Sequence, residues 1–464
     1  MSGIVGWAGF GLSDKAVHAI MAAADSKEMP MDADPGSTTT RKLVARLVPF
    51  AMLLFFVQMM DKTNVGFAAL QMNQDLAFTP QVYGFGAGVF FLGAFLFEIP
   101  SNLVLARVGA RRWLARIMIT WGFIVIGLAA THSAGYFYLM RFLLGVAEAG
   151  LLPGILYYLH TWMPEQKRGM ASSALMSTSA IGAIVAGPLA TGLMQLRGVL
   201  GLNGWQWIFV AEGIATVLIG ALTYWYLPDT YAEARFLSGT ERRWLADTMH
   251  REALVKREVG VTSFMAGFFD KRVLVAVAVS FLLVLCNFGT VFWLPQIIKS
   301  FGGLSDMQVG WLSVLPYACG GAGMIWWGRH SDRRGERRWH LVLSAVVAAV
   351  GYSWAGLAPS STLSFLGICL GTAAIMSMFG VFWAHAGDLL GGAAAAGGLA
   401  LLNTASQLGG FLGPVIMGVV RKQTQSFSAG LLVLGGCALL MALIAAAMRN
   451  QSLARRDVSS HALV

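Results

Sequence analysis

Two charged residues interrupt the first long apolar stretch of the chain, Arg46 to Leu70. Asp61 and Lys62 stand in its second half, and Asn64 follows them closely. A charged side chain at membrane depth costs about 2.5–3.5 kcal/mol on insertion scales, and such residues usually face a water-filled cavity and act on ions or charged substrates. We therefore interpret the pair as functional. The alternative is that it lies at the membrane edge and only solvates the end of the helix.

A second pair of charges, Arg141 and Glu148, lies in the fourth apolar stretch. Two helical turns separate them on one face, which is too far for a direct ion pair but allows both to line one cavity. An arginine stays charged and binds a carboxylate through two parallel hydrogen bonds. A glutamate in a low-dielectric pocket can hold a proton near neutral pH. The alternative is a structural charge network with Asp61.

Two weaker candidates for substrate contact are single polar side chains. Ser179 belongs to a polar face of the fifth apolar stretch, at residues 177–179, which hydrogen bonding between helices explains equally well. His385 is the histidine expected near mid-membrane, on the tenth stretch. It is a candidate for substrate contact or titration, but we favour a packing role.

Three amides of the second half, Asn287, Asn403 and Gln407, could donate hydrogen bonds to substrate oxygens. Amide bonding between helices is an equally good alternative. Two further carboxylates, Glu98 and Glu212, lie near the ends of their stretches and are interpreted as structural.

The composition indicates a membrane protein with many spans. Of the 464 residues, 56% are hydrophobic and 12% are charged, against about 25% charged in soluble domains. The net charge of +10 does not indicate a nucleic-acid partner, because Lys and Arg cluster in short loops between apolar spans, as the positive-inside rule predicts. The cysteines are expected to be small buried hydrophobes, neither disulfides nor metal ligands. They are Cys286, Cys319, Cys369 and Cys437.

The pattern predicts an all-α membrane protein with twelve transmembrane helices in two pseudo-symmetric six-helix bundles, at 45–227 and 273–448. Between them, the basic segment 228–272 is expected to be a cytoplasmic linker. Both termini are expected to be cytoplasmic, with a mobile tail at 1–44 and a second tail at 449–464. The predicted spans are 47–70, 82–104, 113–131, 135–160, 169–194, 205–227, 273–298, 308–328, 339–358, 362–386, 397–420 and 427–448.

A short basic motif recurs at the same position of each half. The pattern Arg-x-Gly-x-Arg-Arg runs from Arg107 to Arg112 after the second span and from Arg333 to Arg338 after the eighth. Glycine permits a tight turn between helices, and the arginines face headgroups and helix ends. A plain basic loop would not be expected to repeat in this way, so the motif indicates duplicated halves.

Together these features resemble the major facilitator superfamily, whose loop signature the segment Gly328–Arg338 carries in full. Within it, the chain is similar to the anion:cation symporter family, which includes tartrate, phthalate and hydroxyphenylacetate permeases. The resembling stretches are DKTNVGFA (61–68), FLFEIPSNL (95–103), GARRW (109–113), RFLLGVAEAGLLPG (141–154), FWLPQIIK (292–299), GRHSDRRGERRWH (328–340) and AAAGGLALLNTASQLGGFLGP (394–414).

The resemblance implies a role for each charged residue. In the family, the first-span carboxylate and the fourth-span glutamate are associated with proton coupling, which implies Asp61 and Glu148 here. The first-span base and the fourth-span arginine are associated with the anion, which implies Lys62 and Arg141, with Asn64 beside them. The loop residues to which the resemblance assigns a conformational switch are Gly328, Asp332, Arg333, Gly335, Arg337, Arg107, Gly109 and Arg112.

We therefore expect proton-coupled symport of an organic carboxylate, such as a tartrate-like sugar acid or an aromatic acid, into a bacterium across its inner membrane. The proton gradient is the expected driving force, with no cofactor and no metal, and a monomer is expected. Two residues depart from the family pattern: Lys62 stands where many members have arginine, and Ala94 where relatives often have tyrosine. A larger or more apolar acid would fit the altered pocket better.

Three other functions are weighed against symport. Exchange of organic anions in the same fold is the alternative, but phosphate exchange needs paired arginines and no titrating carboxylates. A membrane sensor usually needs an appended signalling domain, for which the tail and the linker are too short. An enzyme is not supported, because the chain shows no nucleophile–base set, metal-ligand spacing or phosphate loop.

Overall fold

The computed structural model describes residues 35–258, 271–389 and 394–448, and the regular elements of these residues are helices. The predicted tail residues 1–34 and 449–464 and the linker residues 259–270 lie outside the described residues. The helices are α1 (Pro35–Asp75), α2 (Pro80–Val108), α3 (Ala110–Leu128), α4 (Ala134–Glu148), α5 (Leu151–Trp162), α6 (Glu165–Leu193), α7 (Gly204–Tyr226), α8 (Gly239–Glu258), α9 (Lys271–Val291), α10 (Leu294–Lys299), α11 (Asp306–Leu312), α12 (Val314–Arg334), α13 (Arg338–Leu357), α14 (Ser361–Leu389), α15 (Ala394–Thr424) and α16 (Phe427–Ala446).

The long helices fall where the twelve apolar spans were predicted. Short connections with polar capping residues join them. Ser133, for example, accepts a hydrogen bond from the backbone N–H of Tyr136 and so starts α4. Within the described residues, nine helices are long and apolar enough to cross a membrane. The remaining three long helices, α3, α12 and α15, are more polar. Three arginines lie in α3, the charged run Arg329–Arg334 ends α12, and α15 contains Asn403, Gln407, Arg421 and Lys422.

The tail and the linker are more ordered than the sequence suggests. Residues 35–44, assigned to a mobile tail, form the first turns of α1, and the linker contains α8. The Lys42 ammonium lies 2.8 Å from the Glu241 carboxylate and joins the two helices. Burial raises the pKa of Glu241, but the hydrogen bonds from Lys42 and Ser238 together outweigh it, so the pKa lies below its usual range.

The fourth predicted span, 135–160, was expected to be one continuous helix, but the structure breaks it into α4 and α5. Ala149 is extended, and Gly150 has φ +86°, a left-handed conformation that glycine adopts at little cost. The Ser101 hydroxyl donates to the freed carbonyl of Ala149 at 2.6 Å. Glu148 is therefore the last residue of α4. Further breaks, at residues 292–293 and at Ser313, divide the seventh and eighth predicted spans.

Glycines let α2 and α4 pack backbone against backbone. A Cβ on Gly145 would lie 1.9 Å from the Phe90 carbonyl oxygen, and one on Gly93 would lie 2.3 Å from that of Phe142. No larger residue fits at either position without moving a helix. The close approach brings the α4 side chains directly against the α2 backbone.

The two halves join mainly through α2 against α15 and through α6 against α11 and α12. At the end of α1 farthest from α8, the Gln71 amide donates to Asp306 at 2.9 Å. The Tyr83 hydroxyl donates to the Phe292 carbonyl at 2.6 Å. These contacts hold the halves together at the end opposite the basic loops.

The basic loops are partly helical. Gly109 and Gly335 have φ of +96° and +60°, so both glycine turns form as predicted. Gly328, however, lies inside α12, so the turn begins only after Arg334. Arg337 donates to the Ser331 hydroxyl at 3.1 Å and pairs with Asp332. The exposed arginines at or beside these turns are Arg107, Arg112, Arg333 and Arg334.

The cysteines lie singly, and the described residues contain no disulfide. Cys286 and Cys369 are buried as expected, and Cys437 is half-buried. The expectation was wrong for Cys319, which is exposed. Cys319 lies on the outer side of α12.

Candidate functional site

A chain of hydrogen-bonded polar side chains runs through the interior of the first half. Gln58 donates to Glu148 at 3.0 Å, and Asn64 donates to Asp61 at 3.0 Å. The same amide of Asn64 reaches Glu212 on α7 at 2.8 Å. The Asp61 and Glu148 carboxyl groups lie within hydrogen-bonding reach of each other. The structure thus joins three carboxyl groups through α1, α4 and α7.

Two of these carboxyl groups are removed from solvent, and Glu212 is half-buried. Asp61 and Glu148 are each 2% exposed, and Asn64 is 1% exposed. Within the described residues, no Lys or Arg nitrogen lies within ion-pair distance of Asp61, Glu148 or Glu212. Such a set of buried carboxyl groups is costly unless protons or nearby cations offset the charge.

Hydrogen-bond acceptors outnumber donors among these linked polar side chains. Five of its buried side-chain oxygens have no donor among the described residues. They are one oxygen each of Gln58, Asp61, Asn64, Glu148 and Glu212. A protonated carboxyl is a donor as well as an acceptor, so added protons would correct the imbalance.

Glu212, which we interpreted from the sequence as a structural residue near a span end, lies deeper in its helix than expected. The structure instead places it against Asn64 in the buried chain. One signal was available: a glutamate in an otherwise apolar span is a candidate site residue by the same physical argument as Asp61. Its position nine residues into α7 places it well inside the helix.

Arg141 lies close to these carboxyl groups without bonding to them. Its Nε and Nη2 donate to the backbone carbonyls of Gly86 and Ala87 at 3.3 and 3.2 Å. The guanidinium lies 5.1 Å from the centre of the Phe90 ring and 5.9 Å from that of Phe292, which belongs to the second half. Two of its five N–H groups are therefore used by α2, and the others have no partner among the described residues.

Lys62, the second predicted base, is half-buried and lies within electrostatic range of Glu148. It forms no ion pair with the described carboxylates. The four predicted charges therefore gather around one region of the first half, with the two carboxyl groups in contact and the two bases apart from them.

The other predicted substrate contacts are dispersed. Ser179 donates to the Met176 carbonyl of its own helix at 2.8 Å, which satisfies its hydroxyl locally. His385 is 4% exposed, in the second half. Asn287 is half-buried on α9, and its side chain forms no hydrogen bond with the described residues.

Asn403 and Gln407 both bind Glu98 across the interface between the halves. The Asn403 amide donates to one oxygen of that carboxylate, and the Gln407 amide donates to the other at 3.1 Å. In this conformation their N–H donors are used between helices, which was the alternative considered for them. No group of His, Cys, Asp and Glu suited to a metal ion occurs among the described residues.

The sequence matches the family model described as Major Facilitator Superfamily over residues 51–414, with a second match over 297–461. The chain belongs to this superfamily. A protein of Agrobacterium vitis named "Putative tartrate transporter" is 42% identical over 414 residues, 89% of this chain and 95% of that protein. The "Quinolone resistance transporter" of Acinetobacter baumannii is 38% identical and covers 84% of this chain and 90% of its own length. The chain is therefore a multi-pass membrane transporter and not an enzyme.

A solved structure shows the same fold. The inward open xylose transporter XylE from E. coli superposes with a TM-score of 0.71 at 15% sequence identity, over 88% of this chain and 97% of that one. The predicted superfamily fold, all-helical with two six-helix halves, is thereby confirmed.

Proposed function

We propose that this transporter couples the uptake of an organic carboxylate to an inward flow of protons across a bacterial inner membrane. The observation that supports the coupling most directly is the contact of the Asp61 and Glu148 carboxyl groups, buried with no ion-paired base. Two adjacent buried carboxyl groups cannot both ionise without a large cost, so they share a proton. A pair of carboxyl groups that shares a proton can bind and release a proton in each transport cycle.

In this proposal the two bases bind the substrate anion. Arg141 and Lys62 are cations near these carboxyl groups, and neither is neutralised by an ion pair. An incoming carboxylate would offset that positive charge and accept from the unused N–H groups of Arg141. The similarity to a protein named for tartrate supports a small organic acid as the substrate.

The cycle follows from charge balance. With protons on Asp61 and Glu148, the bases Arg141 and Lys62 leave two positive charges, which a dicarboxylate neutralises fully and a monocarboxylate in part, so the loaded carrier can close. Proton release restores two negative charges, which compete with the substrate for the bases and expel it. Rocking of the two halves about this region exposes it to each side in turn.

The proposal is tested with purified transporter in proteoliposomes. An acidic exterior is expected to drive accumulation of at least one acid from a panel of tartrate, gluconate and phthalate, and a protonophore is expected to abolish it. If uptake instead requires an organic anion trapped inside and ignores the pH gradient, the transporter is an exchanger and the coupling proposal is wrong.

Glu212 is proposed as a third member of the proton-binding set, linked to Asp61 through Asn64. Glu212→Gln keeps the shape but cannot take up a proton, so accumulation under a pH gradient should fall severalfold while substrate binding persists. Thr216→Val, one turn further along α7, removes a hydroxyl that bonds only to the Glu212 carbonyl at 2.8 Å. It is the control and should transport normally, and equal accumulation by both variants would exclude Glu212.

A further inference from the structure

A large cavity lies outside the transport region, where the linker meets the ends of α1, α3 and α7. Its volume is about 760 Å³. Four arginines line it, together with aromatic side chains from the end of α7. The arginines are Arg46, Arg111, Arg235 and Arg242. Nothing in the proposed transport cycle uses this cavity.

The positive charge of the cavity is only partly neutralised. Arg111 is bound by Asp229 at 3.1 Å and by Glu233 at 3.0 Å, so these acids offset its charge. Among the described residues, no carboxylate lies within ion-pair distance of Arg46, Arg235 or Arg242. A cavity with three unpaired guanidinium groups attracts anions.

Two of these guanidinium groups are held in place by neutral contacts. That of Arg46 lies 4.9 Å from the ring centres of both Tyr226 and Phe236. The Nε of Arg242 donates to the Ala234 carbonyl at 3.0 Å, which leaves its terminal nitrogens available. Neither contact neutralises the charge, so the N–H donors are preorganised for an oxyanion. The planar donor fork of a guanidinium group suits phosphate oxygens in particular.

The cavity opens beside the lipid-facing side of α7. Trp225, which lines it, is 76% exposed, and Leu222 and Leu218 on the same helix face are 46% and 64% exposed. Tryptophan is favoured at the level of lipid headgroups, and exposed leucines contact acyl chains. An anionic group in the cavity could therefore have its hydrocarbon chains along α7, which a free phosphate ion lacks.

We propose that this cavity binds the phosphate headgroup of an anionic membrane phospholipid, with the acyl chains along α7. The basic loops assign this end of the bundle to the cytoplasmic leaflet, where clusters of arginine and lysine recognise anionic headgroups. The lipid would bridge α1, α7 and the linker, and so tie the first half to the segment that leads into the second.

The experiment is delipidation of the full-length transporter in detergent, followed by titration with phosphatidylglycerol, phosphatidylcholine or sodium phosphate. Bound lipid is counted by native mass spectrometry, and the unfolding temperature is recorded. Phosphatidylglycerol is expected to be retained and to raise the unfolding temperature, with little effect of the other two. Equal retention of phosphatidylcholine, or equal protection by sodium phosphate, would overturn the proposal.

Variants locate the site. The double replacement of Arg46 and Arg235 by glutamine is expected to weaken phosphatidylglycerol retention by roughly tenfold or more, the effect of removing two charges near the membrane surface. Arg243→Gln, an exposed arginine of α8 that does not line the cavity, should retain lipid like the wild type. If the double variant unfolds without lipid, the single Arg235→Gln decides, because that side chain is exposed and bonds to no described residue. Unchanged retention in the variants would place the lipid elsewhere.

Discussion

Replacing Asp61 with asparagine, or Glu148 with glutamine, is expected to abolish accumulation of substrate driven by a pH gradient. Each change keeps the size and the hydrogen-bonding shape of the side chain but removes its ability to exchange a proton. In the proposed cycle the two neighbouring carboxyl groups act together in binding protons, so the loss of either is expected to disable coupling. One coupled proton supports about tenfold accumulation per pH unit, since a pH unit corresponds to about 1.4 kcal/mol. The accumulation ratio is therefore expected to fall by this factor for each proton that is no longer coupled to transport.

The measurement separates coupling from binding. Proteoliposomes with an acidic exterior report uphill uptake, and counterflow of labelled substrate in the absence of a gradient reports binding and the rocking of the halves. We expect the first to be lost and the second to persist, because Arg141 and Lys62 remain. Asp247→Asn is the matched control, since Asp247 is an exposed carboxylate of α8 far from the buried chain. Uphill uptake by both site variants would show that the proton is carried elsewhere.

The positions of the spans could be predicted because they depend on composition alone. A run of apolar residues about 20 long crosses a bilayer regardless of its partners, so each predicted span coincides with one helix or two, although α1 begins at Pro35, well before its predicted span. The turns at Gly109 and Gly335 were predictable for a similar local reason, since each needs a residue that tolerates positive φ. The charges at Asp61 and Glu148 stand out because lipid makes them expensive.

The partners of the site residues could not be predicted in the same way. Asn64 and Glu212 are 148 positions apart, and only the packing of α1 against α7 brings them together. The contact of Glu98 with Asn403 and Gln407 likewise depends on how the two halves meet. The break after Glu148 also depends on packing, because Ser101 of α2 satisfies the carbonyl that the break exposes. Sequence patterns identify polar residues in a membrane, whereas the fold decides which of them meet.

Arg141→Lys is the second replacement with a large expected effect, because lysine retains the charge and loses the planar fork. Arginine at this position uses two N–H groups to hold the carbonyls of Gly86 and Ala87 and presents the others to the interior. A lysine ammonium has three donors on one atom and cannot hold both carbonyls and a carboxylate with the same geometry. Loss of a charge-assisted hydrogen bond costs about 1.5–3 kcal/mol, so we expect the KM for the organic anion to rise by roughly tenfold to a hundredfold.

Initial uptake rates at varied substrate concentration measure this change, with the pH gradient held constant. The expected result is a higher KM with uphill transport retained, which distinguishes loss of an anion contact from loss of proton coupling. Arg116→Lys is the control, since Arg116 is a half-buried arginine of α3 that lies over the Trp113 ring at 3.9 Å and outside the polar chain. An unchanged KM in Arg141→Lys would mean that this guanidinium only braces α4 against α2, and the anion contact would pass to Lys62. The carbonyls of Gly86 and Ala87 occupy one edge of the guanidinium. The substrate carboxylate is therefore expected to bind the N–H groups of the other edge.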